Sequence, residues 1–388
     1  MFMRRYGAAA VLAGALALAS SYPVAAEDGV TADTITFGQA AVLEGPASAL
    51  GQGMRAGIQA AFDEVNARGG VRGRKLKLVS RDDGYEPDRA IVETRKLIEE
   101  DKVFALIGPV GTPTSAAAQP IATAAHVPFI GAFTGAGFLR NSKLENVVNV
   151  RASYGAETEA WIKHLTEDLK IKRIAIFYQD DAYGKAGLTG VQKALDKRSM
   201  KLVGEGTYER NTTAVKTGLL AIRKVEPEAV IMIGAYAPCA EFIKLAKQLK
   251  TTWRFVNISF VGSDALAAAL GDQGDGVIVT QVVPFPADES IPVVKRYHDA
   301  LKASGGDLKP GFVSLEGYLA GRTALAVLAK VDGAPTREHF IDAVVKTGSF
   351  DLGGLTLKYG PDRNQGLDTV YLTVLGADGK YKPVTNLK

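Results

Sequence analysis

The chain has 388 residues, of which 47% are hydrophobic, 8% aromatic and 23% charged, a globular composition long enough for two domains. Its one cysteine, Cys239, excludes an intramolecular disulfide and any cysteine-based zinc or iron–sulfur site, and His126, His164, His298 and His339 are scattered singly. A formal charge of +4 without basic blocks gives nucleic acid no footprint, so no metal, cofactor or nucleic-acid partner is expected.

The first 26 residues read as an export signal. Arg4 and Arg5 form a basic start, Ala8–Ala19 is a short apolar run, and Val24-Ala25-Ala26 sets small residues where a signal peptidase cuts. The run is shorter than the roughly 20 residues that a bilayer span needs, and no later stretch supplies one. No cysteine stands at the cleavage point to take a lipid. The expectation is a soluble exported chain starting near Glu27, and loss of Arg4 and Arg5 lowers the formal charge by two.

From there short apolar runs alternate with amphipathic ones. Strands are expected at Thr34–Val42, Lys75–Ser80, Phe104–Gly108 and Val127–Gly131, with helices at Met54–Ala67, Pro87–Asp101 and Pro113–Ala125. The rhythm resumes with strands at Arg173–Tyr178, Lys201–Gly206, Ala229–Gly234, Phe255–Gly262 and Gly276–Val279. Its helices fall at Tyr183–Arg198, Ala214–Lys224, Cys239–Leu249 and Leu266–Leu270. Apolar strands separated by amphipathic helices mean parallel sheets covered on both faces. Helices at Ser290–Ser304, Ser314–Lys330 and Arg337–Thr347 and strands at Leu355–Tyr359 and Thr369–Leu375 then break the rhythm. The fold class is therefore α/β, with two doubly wound parallel-sheet lobes joined by a three-crossover hinge. Crossings are expected near Val150–Ser153, Gln281–Pro284 and Tyr359–Asp362. The lobes are 27–152 plus 284–361 and 153–283 plus 362–388.

In such sheets ligands bind at the carboxyl ends of the strands. Gly108-Pro109-Val110-Gly111-Thr112-Pro113-Thr114-Ser115 follows a buried strand and opens a helix. Thr112 fits the N-cap and Pro113 the first helical position, and the free amides there suit a carboxylate. An ordinary capped helix would show the same residues. The next strand ends in Gly131-Ala132-Phe133-Thr134-Gly135-Ala136-Gly137, whose glycines let a ligand approach the backbone and whose Thr134 adds a hydroxyl. The second lobe offers Asp180, Asp181, Tyr183, Tyr236 and Asp264 at its strand ends. A tyrosine face supplies apolar area with a polar tip, and Asp264 is able to accept from an ammonium. Helix capping also accounts for such aspartates, and fits Asp180 and Asp181 better than Asp264.

Gly51-Gln52-Gly53 with Gly57 imitates the dinucleotide fingerprint. Its spacing is one residue too long, and the first glycine lies well past the strand, so nicotinamide binding is rejected. No nucleophile elbow, metalloprotease or Walker motif occurs, and no enzyme activity is expected.

These residues carry a family resemblance. The stretch TFGQAAVLEGPASALGQGMRAGIQAAFDEVNARGGVRGRKLKLVSRDDGYEPDRA, then FALIGPVGTPTSAAAQPIA, VPFIGAFTGAGFLRN, NVRASY, RIAIFYQDDAYGKAGLTGV and FVGSDAL, resembles the substrate-binding proteins of branched-chain amino-acid-type ABC transporters. The likeness to this type I periplasmic binding fold runs from about Thr34 to Pro383. The resemblance implies a ligand carboxylate held by Thr112, Thr114 and Ser115, with Phe133, Thr134 and Gly135 from the next loop. It implies Tyr183 and Tyr236 from the second lobe, and Asp264 on an α-ammonium.

The sequence also departs from the family. Tyr85 and Gly111 stand where leucine-binding members have a disulfide, Leu50 where a tyrosine is frequent, Phe133 where a small residue is common, and Asp264 where glutamate is usual. A pocket lined by Phe133, Tyr183, Tyr236 and Tyr85 or Phe285 favours a larger apolar or aromatic acid. The resemblance thus implies a monomeric periplasmic protein of Gram-negative type. It would capture a small carboxylate-bearing ligand (a branched-chain or other amino acid, or an aromatic acid) and deliver it to ABC permease subunits. The alternative is a ligand sensor of the same fold feeding a signalling partner.

Overall fold

The computed structural model describes residues 27–305 and 309–388. The expected export signal, residues 1–26, lies outside the described residues. Five parallel strands make the first sheet in the order β2-β1-β3-β4-β5. They are β1 (Thr34–Ala41), β2 (Lys75–Asp82), β3 (Ala105–Ile107), β4 (Phe129–Ile130) and β5 (Val147–Val148). Helices α1 (Ser48–Asn66), α2 (Pro87–Glu99) and α3 (Thr112–Ala124) connect them.

The chain then leaves through residues 149–153 and builds α4 (Tyr154–Glu167), β6 (Ile174–Gln179), α5 (Ala182–Asp196), β7 (Gly204–Tyr208), α6 (Lys216–Arg223), β8 (Ala229–Ile233), α7 (Tyr236–Gln248), β9 (Arg254–Asn257), α8 (Ser263–Leu270) and β10 (Ile278–Gln281). All five residues of β8 are buried, as a central strand covered on both faces requires. Residues 282–291 lead back to α9 (Pro292–Ala303), α10 (Phe312–Leu328), α11 (Arg337–Thr347) and the hairpin β11 (Ser349–Asp351) and β12 (Thr356–Lys358), with α9 and α10 packed on α1. The segment 359–370 then returns to β13 (Tyr371–Leu375) and β14 (Tyr381–Val384). The three crossings overlap the expected ones. The first and third run side by side, with Asn149 N–H donating to Asn364 O (2.8 Å) and Leu367 N–H to Val150 O (3.0 Å). No helix among the described residues is long and apolar enough to cross a membrane.

Four features differ from the sequence reading. The second sheet, β14-β13-β10-β9-β8-β6-β7, is mixed, because β13 pairs antiparallel with β10 and β14 with β13. Helix α1 begins at Ser48, six residues before the expected Met54, and its glycines permit close packing. A Cβ on Gly51 would lie 1.8 Å from Val42 O, and one on Gly57 would lie 1.9 Å from Ser314 O on α10. The false dinucleotide motif is thus a helix-packing device. Helix α4 was not expected at all. Ser153 caps it, its Oγ accepting from Ala156 N–H (3.2 Å), and Trp161, Ile162 and Leu165 form its buried stripe. The Phe255–Gly262 strand stops at Asn257, after which Ser259–Val261 turn as a single 3₁₀ turn and carry Phe260 into the seam between the sheets.

Candidate functional site

The carboxyl edges of the two sheets face each other and touch. On the first edge Gly111 adopts φ +105°, a conformation open to glycine, and a Cβ there would lie 2.2 Å from the Tyr85 ring. Gly111 therefore caps α3, and Thr112 is the first helical residue, which corrects the N-cap assignment. Thr112 is freed to turn its hydroxyl toward the next loop. Its Oγ1 lies 2.7 Å from Thr134 Oγ1, Thr134 donates to Tyr154 OH (3.3 Å), and Ala136 N–H donates back to Thr134 Oγ1 (3.2 Å). With the Thr134 proton directed at Tyr154, Thr112 supplies the proton between the two threonines. The phenol of Tyr154 completes this buried cluster, within reach of both threonine hydroxyls. Burial raises the Tyr154 pKa, so the phenol keeps its proton.

The other hydroxyls behave differently. Thr114 donates back along its own helix to Val110 O and Gly111 O, so its proton is already committed. Ser115 Oγ is fully buried and has no partner. Gly135 is required for space, because a Cβ there would sit 2.4 Å from the Tyr154 ring, and Tyr154 N–H donates to Gly135 O (2.7 Å).

Rings close the site. Phe260 lies 5.2 Å from Phe133, 4.6 Å from Tyr183 and 6.0 Å from Tyr85 between ring centres, and Tyr183 lies 5.8 Å from Tyr154. These are offset and tilted contacts of the favourable kind. Tyr85 adopts φ +61°, unusual for a bulky side chain, and is held there by Asp83 Oδ1, which accepts its amide (2.9 Å). Tyr183 OH donates to Gly234 O (3.3 Å), and Asp181 caps α5, its Oδ1 accepting from Tyr183 N–H (2.9 Å).

Behind the rings sits an ionic knot that no local pattern announced. Arg151, fully buried on the first crossing, lies under Phe133 and Tyr154 with its guanidinium carbon 5.3 and 5.7 Å from their ring centres. Its Nη2 is 3.0 Å from Glu157 Oε1 on α4 and its Nη1 3.5 Å from Glu316 Oε1 on α10, and Nη2 also meets Ser259 Oγ. Glu157 further accepts from Ser259 N–H (3.0 Å) and Thr280 Oγ1 (2.5 Å). Burial opposes the charge of Arg151, but Glu316 and Glu157 outweigh it and raise its pKa. Glu316 fares the other way, because burial pushes its carboxyl up to about 7 despite Arg151. The shorter contact to Glu157 explains the imbalance, since it leaves Glu316 the less compensated acid.

Thr112, Phe133, Thr134, Gly135 and Tyr183 thus converge, with Ser115 and the committed Thr114 beside them on α3. Tyr236 stands apart at the end of the seam, crowding Gly262 together with Leu50. Asp264 is exposed as a residue, yet its carboxylate turns onto the first lobe and accepts from Phe312 N–H at the start of α10 (3.1 Å). Burial of that end raises its pKa. Phe285 packs on Phe312 (5.7 Å) rather than on the ring cluster. Tyr154, Arg151 and Phe260 escaped the sequence reading. A tyrosine at the first turn after a crossing was the available signal for Tyr154. A hollow of about 730 Å³ under the C-terminal segment, lined by Leu169, Ile278, Val374 and Leu387, lies at the opposite end of β10 and takes no part.

The family model for "Periplasmic binding protein" matches residues 34–380. The leucine-, isoleucine-, valine-, threonine-, and alanine-binding protein of Pseudomonas aeruginosa is 28% identical over 319 residues, covering 78% of each chain. The Leu/Ile/Val-binding protein of Escherichia coli strain K12 is 25% identical over 319 residues, covering 78% of this chain and 80% of its own. A solved structure of a possible leucine/isoleucine/valine-binding protein from Rhodopirellula baltica superposes with a TM-score of 0.87 at 39% identity, covering 93% of this chain and 98% of that one. By name the first two are binding proteins for leucine, isoleucine and valine, the Pseudomonas protein also for threonine and alanine. With two sheets meeting over a cleft and the family match spanning both, the chain belongs to the periplasmic binding protein family, as a type I member of the branched-chain amino-acid type.

Proposed function

We propose that the protein captures a small carboxylate-bearing ligand between two lobes, 27–152 plus 284–361 and 153–283 plus 362–388, and delivers it to an ABC permease from the periplasm. The observation that carries this reading is the buried hydroxyl cluster Thr112–Thr134–Tyr154 beside the N-terminus of α3. A carboxylate oxygen is the acceptor such a cluster suits, and the positive end of the helix favours its charge. Ser115 Oγ, buried and unpartnered, is a second donor on the same helix.

In the mechanism the ligand docks first on α3 and the loop at Phe133–Gly135. Rotation about the three crossings then brings Tyr154, Tyr183 and Phe260 over it, and exclusion of water strengthens each polar contact. The ring cluster accepts an apolar or aromatic body. The relatives named for leucine, isoleucine and valine support an amino acid, for which Asp264 would have to exchange the Phe312 amide for the ligand's ammonium. Closure presents the joined lobe surfaces to the permease.

A thermal-stability panel tests this with leucine, isoleucine, valine, phenylalanine, benzoate, phenylacetate and acetamide. A ligand that binds only the folded form adds about 2.7 kcal/mol at a hundredfold excess over Kd. Stabilisation by at least one carboxylate, and none by acetamide, is the expected result. A panel in which no carboxylate acts, or in which acetamide alone does, contradicts the reading.

A further inference from the structure

Several ion pairs of the surface join residues of one helix, as Arg95–Glu99 and Lys346–Asp342 do, and these do not respond to a movement of the lobes. Arg210 is placed differently. It stands two residues past the end of β7 in the second sheet, and its guanidinium reaches across the seam to the loop that follows β2 in the first sheet. Its Nη2 lies 2.7 Å from Glu86 Oε2 and its Nη1 2.9 Å from Asp181 Oδ2. The next residue, Asn211, takes φ +60°, a left-handed conformation that asparagine tolerates, and so turns its amide the same way. Asn211 Nδ2 donates to Gly84 O (3.0 Å) and to Glu86 Oε1 (2.7 Å). The Arg210 guanidinium carbon stands 5.9 Å over the Tyr85 ring, and Gln179 Nε2 donates to Tyr85 OH (3.2 Å) and to Asp181 Oδ2 (2.6 Å). The seam behind this contact is tight. The cavity between Tyr85, Gln179, Tyr208 and Asn211 measures about 10 Å³, room for one water at most.

We propose that Arg210, with Asn211, latches onto Glu86 across the lobes and holds a fraction of the ligand-free protein closed. The proposal rests on the two-lobed reading of the fold. Its two carboxylates have different roles. Asp181 lies in the same lobe as Arg210, so that pair survives opening and keeps the guanidinium extended toward the seam. Glu86 lies in the other lobe, so both of its charge-assisted bonds form only on closing. Because Arg210 is already ordered by Asp181, closing costs it little side-chain freedom. The closed form also buries Arg210 Nε and Asn211 Oδ1 without partners. That penalty works against the gain at Glu86 and keeps the open form within reach.

The test needs no ligand. In the full chain, cysteines replace the exposed Val92 on α2 and Leu220 on α6 and carry spin labels for pulsed distance measurement. Cys239 is buried, and burial pushes its thiol pKa up, so it stays unlabelled. At about 20 mM salt two distances are expected, and the shorter population falls as salt rises to about 500 mM. Glu86→Ala and Arg210→Ala are each expected to lower the closed-to-open ratio about tenfold, with the double variant no lower than the single ones. Glu86→Gln, which keeps an acceptor for Asn211 but no charge, falls between, and Arg210→Lys restores the salt response. Two distances that ignore all these substitutions overturn the latch, as does a single distance at every salt concentration. The capture reading is judged separately, by the stability panel.

Discussion

The two sheet edges that meet in the cleft are built from different materials. The first edge offers hydroxyls and free helix amides from Thr112, Ser115 and Thr134, on loops whose Gly111 and Gly135 bring backbone close to whatever lies between the lobes. The second edge offers the rings of Tyr154, Tyr183 and Phe260, backed by Arg151, whose charge is answered by Glu157 and Glu316. The first edge is therefore rich in hydroxyls and helix amides, which the Tyr154 phenol of the second edge joins, whereas the rest of the second edge has settled its charges internally and presents mostly area and shape. On the proposed reading, a ligand on such a pair is oriented by one face and selected for size by the other.

The largest expected effect comes from breaking the second edge. Arg151→Ala leaves Glu157 and Glu316 buried without their cation, and a loss of about 3–5 kcal/mol of folding stability is expected by denaturant titration. A loss below about 1 kcal/mol would mean that the knot does not organise this edge. Tyr154→Phe instead tests where the two edges touch. Removing the phenol from the hydroxyl chain should weaken the best carboxylate of the panel by about 2 kcal/mol, some thirtyfold, with little change in unliganded stability. Equal affinities would place the carboxylate elsewhere.

The pH response sharpens the same contrast. Burial puts Glu316 at about 7 in the fold, above its ordinary value of 4.5. Its contribution is fully present below about pH 4.5 and is lost as pH rises through about 7. Wild-type stability measured against Glu316→Gln should therefore fall by about 3 kcal/mol across that window and stay level above it. A constant difference from pH 4 to 8 would contradict the burial of that acid. The smallest effect is expected at Asp264, whose contact with Phe312 N–H is a single hydrogen bond at the open end of the seam. Asp264→Asn should change unliganded stability by less than about 1 kcal/mol. A selective loss of amino-acid binding in that variant would show that the carboxylate leaves Phe312 for an ammonium.

How far the sequence reveals these edges follows from how local each feature is. The buried strands β6 and β8 are continuous apolar runs, so the centre of the second sheet was readable, and the α3 loop carries glycine, proline and threonine in the order a helix start needs, so the first edge was readable too. Thr112 was assigned to the cap because a threonine before proline usually sits there. The glycine before it took the cap, and the threonine became a cleft residue. The second edge was less readable because its parts are held by distant partners. Arg151 meets Glu316 across 165 positions of sequence, and nothing near either residue marks the pair. Phe260 looked like a strand residue in an apolar run, yet the chain turns after Asn257 and sends its ring inward. The early start of α1 was hidden because glycine is a poor helix former, while in the fold Gly51 and Gly53 make room for Val42 and for Val313 on α10.

The carboxylate grip is tested most directly by isothermal titration of the strongest carboxylate of the panel beside its own methyl ester, which keeps the body and removes the charge. The expected result is at least tenfold tighter binding of the acid, falling toward the ester's affinity in Tyr154→Phe. Equal affinities of acid and ester for the wild-type protein would contradict a cleft organised around a carboxylate at Thr112, Thr134 and Tyr154.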